Sequence, residues 1–221
     1  MQSHPHSTRF AVSLFAFLLV ARIAVGGEQD PPTAWVQVAD KDGVVICSRR
    51  HAGSALKEFR SIGEIDAPSS AVFAVLDDPE AYPRFMPYTS ECRILQRMKN
   101  GLITYQRLDL PLVSDRDYTL RSEYSKKPGP DGPIYRIQWR PANDLGPAPQ
   151  AGVERVKICE GSWLMEPTGD ETTRLTYSVY SGTGGAIPAF LANSGSQIAI
   201  RKIFEAIRKE ARAPKYSAAK G

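Results

Sequence analysis

Short segments rich in β-branched and aromatic residues, separated by turn residues, recur along most of the chain. This pattern predicts a sheet of mainly antiparallel strands. The pair Asn100-Gly101 is a strong hairpin signal, whereas the Pro- and Gly-rich stretch 141–152 is too long for a tight hairpin and predicts a loop. The predicted strands are 35–38, 43–49, 56–65, 92–97, 102–108, 118–124, 134–139, 153–165 and 173–180.

Two short helices are predicted between the third and fourth strands. In the first, over 68–76, Val72, Phe73 and Leu76 recur at helical spacing, and Asp66 is placed to cap it. The second is predicted over 80–85. These two helices interrupt the succession of predicted strands.

A long amphipathic helix follows the last strand. It is predicted from Ile187-Pro188 to about Arg212, because proline is tolerated in a first helical turn and Pro214 then ends the helix. Its apolar side consists of Phe190, Leu191, Ser194, Ile198, Ile200, Ile203, Phe204 and Ile207. Such a helix can cover the concave face of a curled sheet. The order of elements predicts an α+β fold in which a curved antiparallel sheet wraps around the C-terminal helix, with an internal hydrophobic cavity where the sheet curls away.

The N-terminus has the features of an export signal. A basic start containing Arg9 precedes an apolar run over 10–20, and small residues follow it up to Gly26. An uncleaved membrane anchor is the alternative, although the apolar run is shorter than the ~20 residues that span a bilayer. The expected organisation is a signal peptide over 1–26, a lead-in over 27–34, one domain over 35–212 and a flexible tail over 213–221.

Charge and cysteine content narrow the classes of partner. The net charge of +4 falls to +2 without the signal segment, which contains Arg9 and Arg22 and no acidic residue. A nearly neutral domain gives no electrostatic reason to bind nucleic acid. No C-x-x-C spacing relates Cys47, Cys92 and Cys159. Two alternatives remain for them, one disulfide with one free thiol or three buried thiols.

Residue types that build catalytic or metal sites are scarce. His51 is the one histidine outside the signal segment, and it is predicted at the surface in a turn. The spacings H-E-x-x-H, C-x-x-C and G-x-S-x-G do not occur. The glycines of 182–185 lack a P-loop lysine and the spacing of a dinucleotide-binding loop. We therefore expect no catalytic group, no metal ion and no cofactor.

Five phrases, in order along the chain, resemble those of one known family. They are 35–49 (WVQVADKDGVVICSR), 66–87 (DAPSSAVFAVLDDPEAYPRFMP), 110–118 (LPLVSDRDY), 161–167 (GSWLMEP) and 174–190 (RLTYSVYSGTGGAIPAF). No single phrase is diagnostic, but their agreement in order resembles the START family of lipid-transfer domains. The resemblance extends from about residue 35 to residue 212.

The resemblance implies a helix-grip fold that binds one hydrophobic molecule, such as a sterol or other polycyclic lipid, or a phospholipid. It implies a monomer that carries this lipid between membranes or to a partner, with transient membrane contact. Two alternatives remain: a helix-grip enzyme, a cyclase or hydrolase acting on a hydrophobic substrate, and a lipid sensor that does not transport. With an export signal, the expected location is a bacterial periplasm.

The resemblance also implies a gate where the loop before the Arg-Asp-Tyr strand meets the last helix. In this chain the gate loop is formed by Leu110, Pro111, Leu112 and Val113, whose apolar tip is suited to touch a membrane. The alternative is a hairpin loop packed on its own helix.

The densest charge pattern next to apolar residues is formed by Asp115, Arg116 and Asp117. In an alternating strand the two aspartates face one way and Arg116 the other. Our hypothesis is that Arg116 points into the cavity and orients a ligand hydroxyl or head group. A structural salt bridge between the strand and the gate loop is the alternative.

The expected lining of the cavity comes from both the sheet and the helix. A lipid site is mostly apolar with one or two polar anchors. Trp163 is expected in the core rather than in contact with ligand. The predicted ligand-binding residues, besides Arg116, are Tyr118 and Trp139 on the strands and Ile187, Phe190, Leu191, Ser194 and Ile198 on or next to the helix.

Overall fold

The structure, a computed structural model, describes residues 34–182 and 187–217. The predicted export signal, nearly all of the lead-in and the glycines at 184 and 185 lie outside the described residues. Within the described ranges, none of the helices combines the length and the apolar character needed to cross a bilayer.

A sheet of ten strands forms the body of the fold. The strands are β1 (Val36–Lys41), β2 (Val44–Arg50), β3 (Lys57–Ile65), β4 (Thr89–Met98), β5 (Gly101–Leu108), β6 (Asp115–Gly129), β7 (Gly132–Pro141), β8 (Val153–Arg155), β9 (Cys159–Gly169) and β10 (Thr172–Ser181). Nine strands follow the order β1-β2-β3-β10-β9-β7-β6-β5-β4, and all neighbours in this order are antiparallel. The predicted curved antiparallel sheet around a C-terminal helix is confirmed.

One strand departs from the predicted pattern. The segment 153–165, expected as a single strand, divides into β8 and β9, and β8 pairs with β6 in parallel. The division arises because Asn143, in the preceding connection, donates to the carbonyl oxygen of Val156 and accepts from the backbone N–H of Thr119, at 2.8 Å each. These bonds hold the 142–158 connection against the outer end of β6.

In the described residues four α-helices accompany the sheet: α1 (Ser69–Leu76), α2 (Tyr82–Phe85), α3 (Ala189–Glu210) and α4 (Pro214–Ser217). The predicted cap of α1 is wrong, because the N-cap position is Pro68 without a side-chain bond and Asp66 pairs with Arg212 instead. The predicted flexible tail begins too early. Tyr216 in α4 is buried, and its hydroxyl donates to Oδ2 of Asp78 at 2.7 Å.

The hydrophobic core lies under the C-terminal half of α3. Phe204 and Ile207 are fully buried there, among apolar side chains of α1 and of strands β2, β3, β9 and β10. The close approach of α3 to β3 depends on Gly63, since a Cβ at this position would lie 2.9 Å from Cε1 of Phe204. Arg208 then donates to three carbonyl oxygens, those of Asp42 and Gly43 in the β1–β2 turn and that of Glu64 at the end of β3, at 2.6 to 2.9 Å. This half of the helix is therefore fixed to the sheet.

The three cysteines are free thiols in the described structure. Cys47 is partly exposed, whereas Cys92 and Cys159 are buried. Burial raises the pKa of the Cys92 thiol to about 12 and that of the Cys159 thiol to about 11. Because the thiolate is the reactive form of cysteine, burial makes both thiols less reactive.

Candidate ligand-binding cavity

A cavity of about 620 Å³ separates the N-terminal half of α3 from the concave face of the sheet. Its walls come from β5, β6, β7, β9, β10, α3, the α2–β4 connection and the loop between β5 and β6. The volume lies within the range of roughly 300–1,000 Å³ found for small-molecule sites. The same helix thus serves two purposes, because its C-terminal half fills the core and its N-terminal half covers an open space.

Strand alternation decides which residues of β5 and β6 reach the cavity. Successive side chains of a strand point to opposite faces, and the even-numbered residues of both strands face inward here. Those that line the cavity are Leu102, Thr104, Gln106 and Leu108 from β5 and Arg116, Tyr118, Leu120, Ser122 and Tyr124 from β6.

Arg116 lies on the cavity wall, as alternation predicts, and the neighbouring aspartates lie on the other face of β6. Arg116 is buried, and its Nη1 donates to the carbonyl oxygen of Ser114 in the preceding loop. Asp115 pairs with Arg107 at 2.6 Å and Asp117 with Arg155 at 2.6 Å. These two ion pairs tie β6 to β5 and to β8. The position of Arg116 is the one that the ligand-orienting hypothesis requires.

Three aromatic side chains form the middle of the sheet wall. The rings of Trp163 and Tyr177 stack with centroids 4.1 Å apart, and the ring of Trp139 lies 5.9 Å from that of Tyr177. All three line the cavity, and Trp163 also belongs to the core. Burial raises the pKa of the Tyr118 and Tyr177 phenols well above the usual value. Both phenols are therefore protonated at neutral pH, and the Tyr118 hydroxyl donates to Gln106.

The helix wall agrees with most of the predicted residues and corrects one. Ile187, Leu191 and Ile198 line the cavity. Ser194 is exposed and does not line it, because the lining positions extend from Ile198 through Leu191 and Gly195 to Ala192, which leaves Ser194 just beyond the edge of the inward stripe. The side chain of Phe190 lies outside what the structure describes.

The predicted gate loop borders the mouth of the cavity. Leu110, Pro111, Leu112 and Val113 all line it. Leu112 has a positive φ of 68° and its side chain is fully exposed. Leu191 and Ile198 on α3 are exposed by 53% and 48%. The mouth is thus rimmed by exposed apolar side chains of the loop and of the helix.

A side-chain contact also joins α3 to the connection before β4. Lys202 donates from Nζ to the Tyr88 hydroxyl at 3.0 Å, and its ammonium group lies 4.9 Å from the ring centroid. Tyr88 lines the cavity and has a positive φ of 61°. Sequence patterns gave no sign of this contact, because 114 positions separate the two residues.

The described residues offer little for metal or acid–base chemistry. Among them, no group of three or more His, Cys, Asp or Glu side chains is placed to hold a metal ion. His51 does not line the cavity; it stacks on Tyr180 with centroids 3.8 Å apart, and its Nδ1 lies 2.7 Å from Oε1 of Glu58. It is therefore half-buried in an ion-pair cluster rather than a loose surface residue.

Comparisons with known proteins agree with this geometry. The family model described as "Polyketide cyclase / dehydrase and lipid transport" matches residues 65–208. An uncharacterised protein of Pseudomonas aeruginosa is 29% identical over 161 residues, which cover 72% of this chain and 78% of that protein. The crystal structure of a STAR-related lipid transfer protein from Xanthomonas axonopodis has a TM-score of 0.73 and 27% identity. The match covers 81% of this chain and 99% of that one. Human STARD10 has the same fold, with a TM-score of 0.72 and 20% identity over 84% of this chain and 76% of that one.

Proposed function

The chain belongs to the polyketide cyclase/dehydrase and lipid-transport family, and from this premise we propose that it binds one hydrophobic lipid in the cavity and transfers it between membranes or to a partner. The observation that carries the proposal is the largely apolar cavity of about 620 Å³ beneath an amphipathic helix. A lipid leaving a bilayer exposes apolar area to water at about 25 cal/mol per Å². Such a cavity covers that area during transit.

The cavity volume narrows the class of lipid. At roughly 30 Å³ for each water-sized group, about 620 Å³ accommodates some 20 such groups, and more atoms where rings are fused. A polycyclic or single-chain lipid fits this space. These two classes are therefore the ligands that we propose first.

Support for transfer comes from the mouth of the cavity. Leu112 and Val113 on the loop, with Leu191 and Ile198 on α3, present exposed apolar side chains around one opening. Contact of this rim with a bilayer would let a lipid enter without crossing water. Together with the predicted export signal, the proposed setting is a bacterial periplasm, with the protein acting as a monomer.

An enzyme acting on a hydrophobic substrate is the second candidate function. The family description includes cyclases and dehydrases, and the phenols that line the cavity include those of Tyr82, Tyr118 and Tyr124. Burial raises the pKa of all three, so they would serve as hydrogen-bond donors or general acids rather than as bases. In this case the protein would release the bound substrate as a chemically altered product.

Purification from the native host followed by native mass spectrometry tests the proposal. We expect a stoichiometric adduct whose extracted mass is that of a polycyclic or single-chain lipid, unchanged after incubation. Loaded protein should then deliver the lipid to acceptor vesicles. Folded protein that takes up no lipid, or that returns a modified compound, would contradict the transport function.

The gate loop gives a sharper test of transfer. The double substitution Leu112→Glu and Val113→Glu is expected to lower the rate of lipid extraction from vesicles by at least about tenfold. Fully burying one such apolar side chain in the bilayer contributes about 1.5–3 kcal/mol to membrane binding. Charged glutamate side chains lose this contribution. Affinity for a dissolved ligand should change little. The control is Val36→Glu, since Val36 is 55% exposed on the edge strand β1 and does not line the cavity; an equal effect of both changes would argue against membrane contact by the loop.

A further inference from the structure

The cavity wall formed by β5 and β6 carries a line of polar side chains. The pairing of the two strands places Gln106 opposite Tyr118, Thr104 opposite Leu120, and Leu102 opposite Ser122. Successive inward positions of a strand are about 7 Å apart. Each of these three levels thus presents at least one polar group to the cavity, and we call Gln106, Tyr118, Thr104 and Ser122 the polar row.

The members of the polar row have hydrogen-bonding capacity left for a ligand. The Tyr118 hydroxyl donates to Oε1 of Gln106 at 3.1 Å, which leaves the amide N–H groups of Gln106 as donors. In the described part of the chain, the hydroxyls of Thr104 and Ser122 have no hydrogen-bond partner, and both residues line the cavity. A hydroxyl can both donate and accept. The row therefore offers binding positions for oxygen atoms at several depths.

The facing wall on α3 offers no such positions. The described side chains that it contributes are apolar or small, with the exception of Ser196. The Ser196 hydroxyl donates to the carbonyl oxygen of Ala192 one turn earlier, at 2.9 Å. Its donor is consequently already used within the helix. The cavity has one polar side and one apolar side.

This asymmetry sets a condition on the ligand. A buried donor or acceptor that loses its partner costs about 1–3 kcal/mol. A plain hydrocarbon would displace water from the polar row and leave its groups unpaired. A ligand with oxygen atoms along one edge would replace the lost water contacts while its other edge packs on α3.

We infer that the ligand is facially amphipathic, a polycyclic or single-chain lipid with at least two oxygen substituents on the edge that faces β5 and β6. The inference rests on the proposed function, because it names the class of lipid that the same cavity binds. It separates this cavity from one adapted to a lipid with a single polar end. The substituents lie about 7 Å apart, or at a multiple of that spacing, since they match levels of the polar row.

Three probes with one ring skeleton test the inference. They are cholestane, a monohydroxylated cholestane, and a cholestane diol with both hydroxyl groups on one ring face. Binding to the full chain is measured by quenching of tryptophan fluorescence, with native mass spectrometry for stoichiometry. We expect the diol to bind about fivefold or more tightly than the monohydroxylated probe, the effect of one additional net hydrogen bond.

Variants assign the effect to the polar row. Thr104→Val and Ser122→Ala remove one hydroxyl each with little change of shape, and each should reduce the preference for the diol by about fivefold. Ser196→Ala, on the facing wall, is the matched control and should leave the preference unchanged. Thermal unfolding of each variant shows that the fold is retained.

The outcomes distinguish the inference from the proposed function. Equal or tighter binding of the monohydroxylated probe, or an unchanged preference in both polar-row variants, overturns the inference and leaves lipid binding intact. Failure of all three probes to bind the folded protein contradicts the inference for a polycyclic ligand, whereas failure of host-purified protein to carry or take up any lipid contradicts the proposed function.

Discussion

Replacing Gly195 by tryptophan is expected to lower affinity for any cavity ligand by at least about 100-fold without unfolding the protein. Gly195 lines the cavity, and a Cβ built on it meets no atom within 4 Å. An indole ring placed there enters the ligand volume instead of the core. The ring buries some 150–250 Å², which stabilises it in the cavity at about 25 cal/mol per Å². A ligand that displaces the ring must supply this free energy, which exceeds the amount equivalent to an about 100-fold loss of affinity. Ligand titration of the variant measures it.

Gly195→Ala is the matched control for this substitution. A methyl group leaves most of the volume free, so affinity should be retained. Alanine should also raise the free energy of unfolding by about 0.5–1 kcal/mol, because glycine is unfavourable inside a helix. If the tryptophan variant bound ligand as well as the alanine variant, the space beside Gly195 would not be the binding site.

Asp117→Ala is expected to cost about 3–5 kcal/mol of unfolding free energy, the loss typical of a broken buried ion pair. The Asp117 side chain is 1% exposed and accepts from Nε and Nη2 of Arg155 at 2.6 and 2.9 Å. The Tyr105 hydroxyl donates to the same carboxylate at 3.2 Å. Removing it leaves a guanidinium that is 14% exposed without its partner. Urea unfolding measures the change.

Asp115→Ala provides the comparison within the same strand. Asp115 pairs with Arg107 at the same distance of 2.6 Å, but the two side chains are 28% and 32% exposed. Exposed pairs contribute about 0–1 kcal/mol, so this variant should unfold nearly like the parent. Similar losses from both substitutions would mean that burial does not determine the strength of these pairs.

The sequence was sufficient for the fold because alternation and helical spacing are local signals. The division of 153–165 into β8 and β9 was missed, since it depends on bonds to Asp117 and Asn143 that only the folded chain brings together. The ordered α4 was missed for the same reason. Pro214 marks the end of a helix, and the partner of Tyr216 is Asp78, 138 positions earlier.

Prediction of the site was limited by knowing which face of each strand or helix points into the cavity, rather than by the choice of residue types. Alternation placed Arg116 and Tyr118 on the cavity side correctly. Ser194 was expected to line the cavity because positions i, i+3, i+4 and i+7 share a helix face, but it is exposed and lies just past the edge of the inward stripe. Thr104 and Gln106 were overlooked, since the inward face of β5 follows from its pairing with β6.

The uneven attachment of α3 has a consequence for access to the cavity. Phe204, Ile207 and Arg208 hold the last turns to the sheet. The first turns line the cavity, with Leu191 and Ile198 exposed, and Asn193 bonds this end to the backbone N–H of Lys57 at 3.1 Å. Local opening needs far less free energy than global unfolding where packing is sparse. We therefore expect the first turns to open more readily than the core. Under the proposed function, a ligand would enter through a reversible fluctuation of this helix end, and a bound ligand, by filling the space beneath it, would slow that fluctuation.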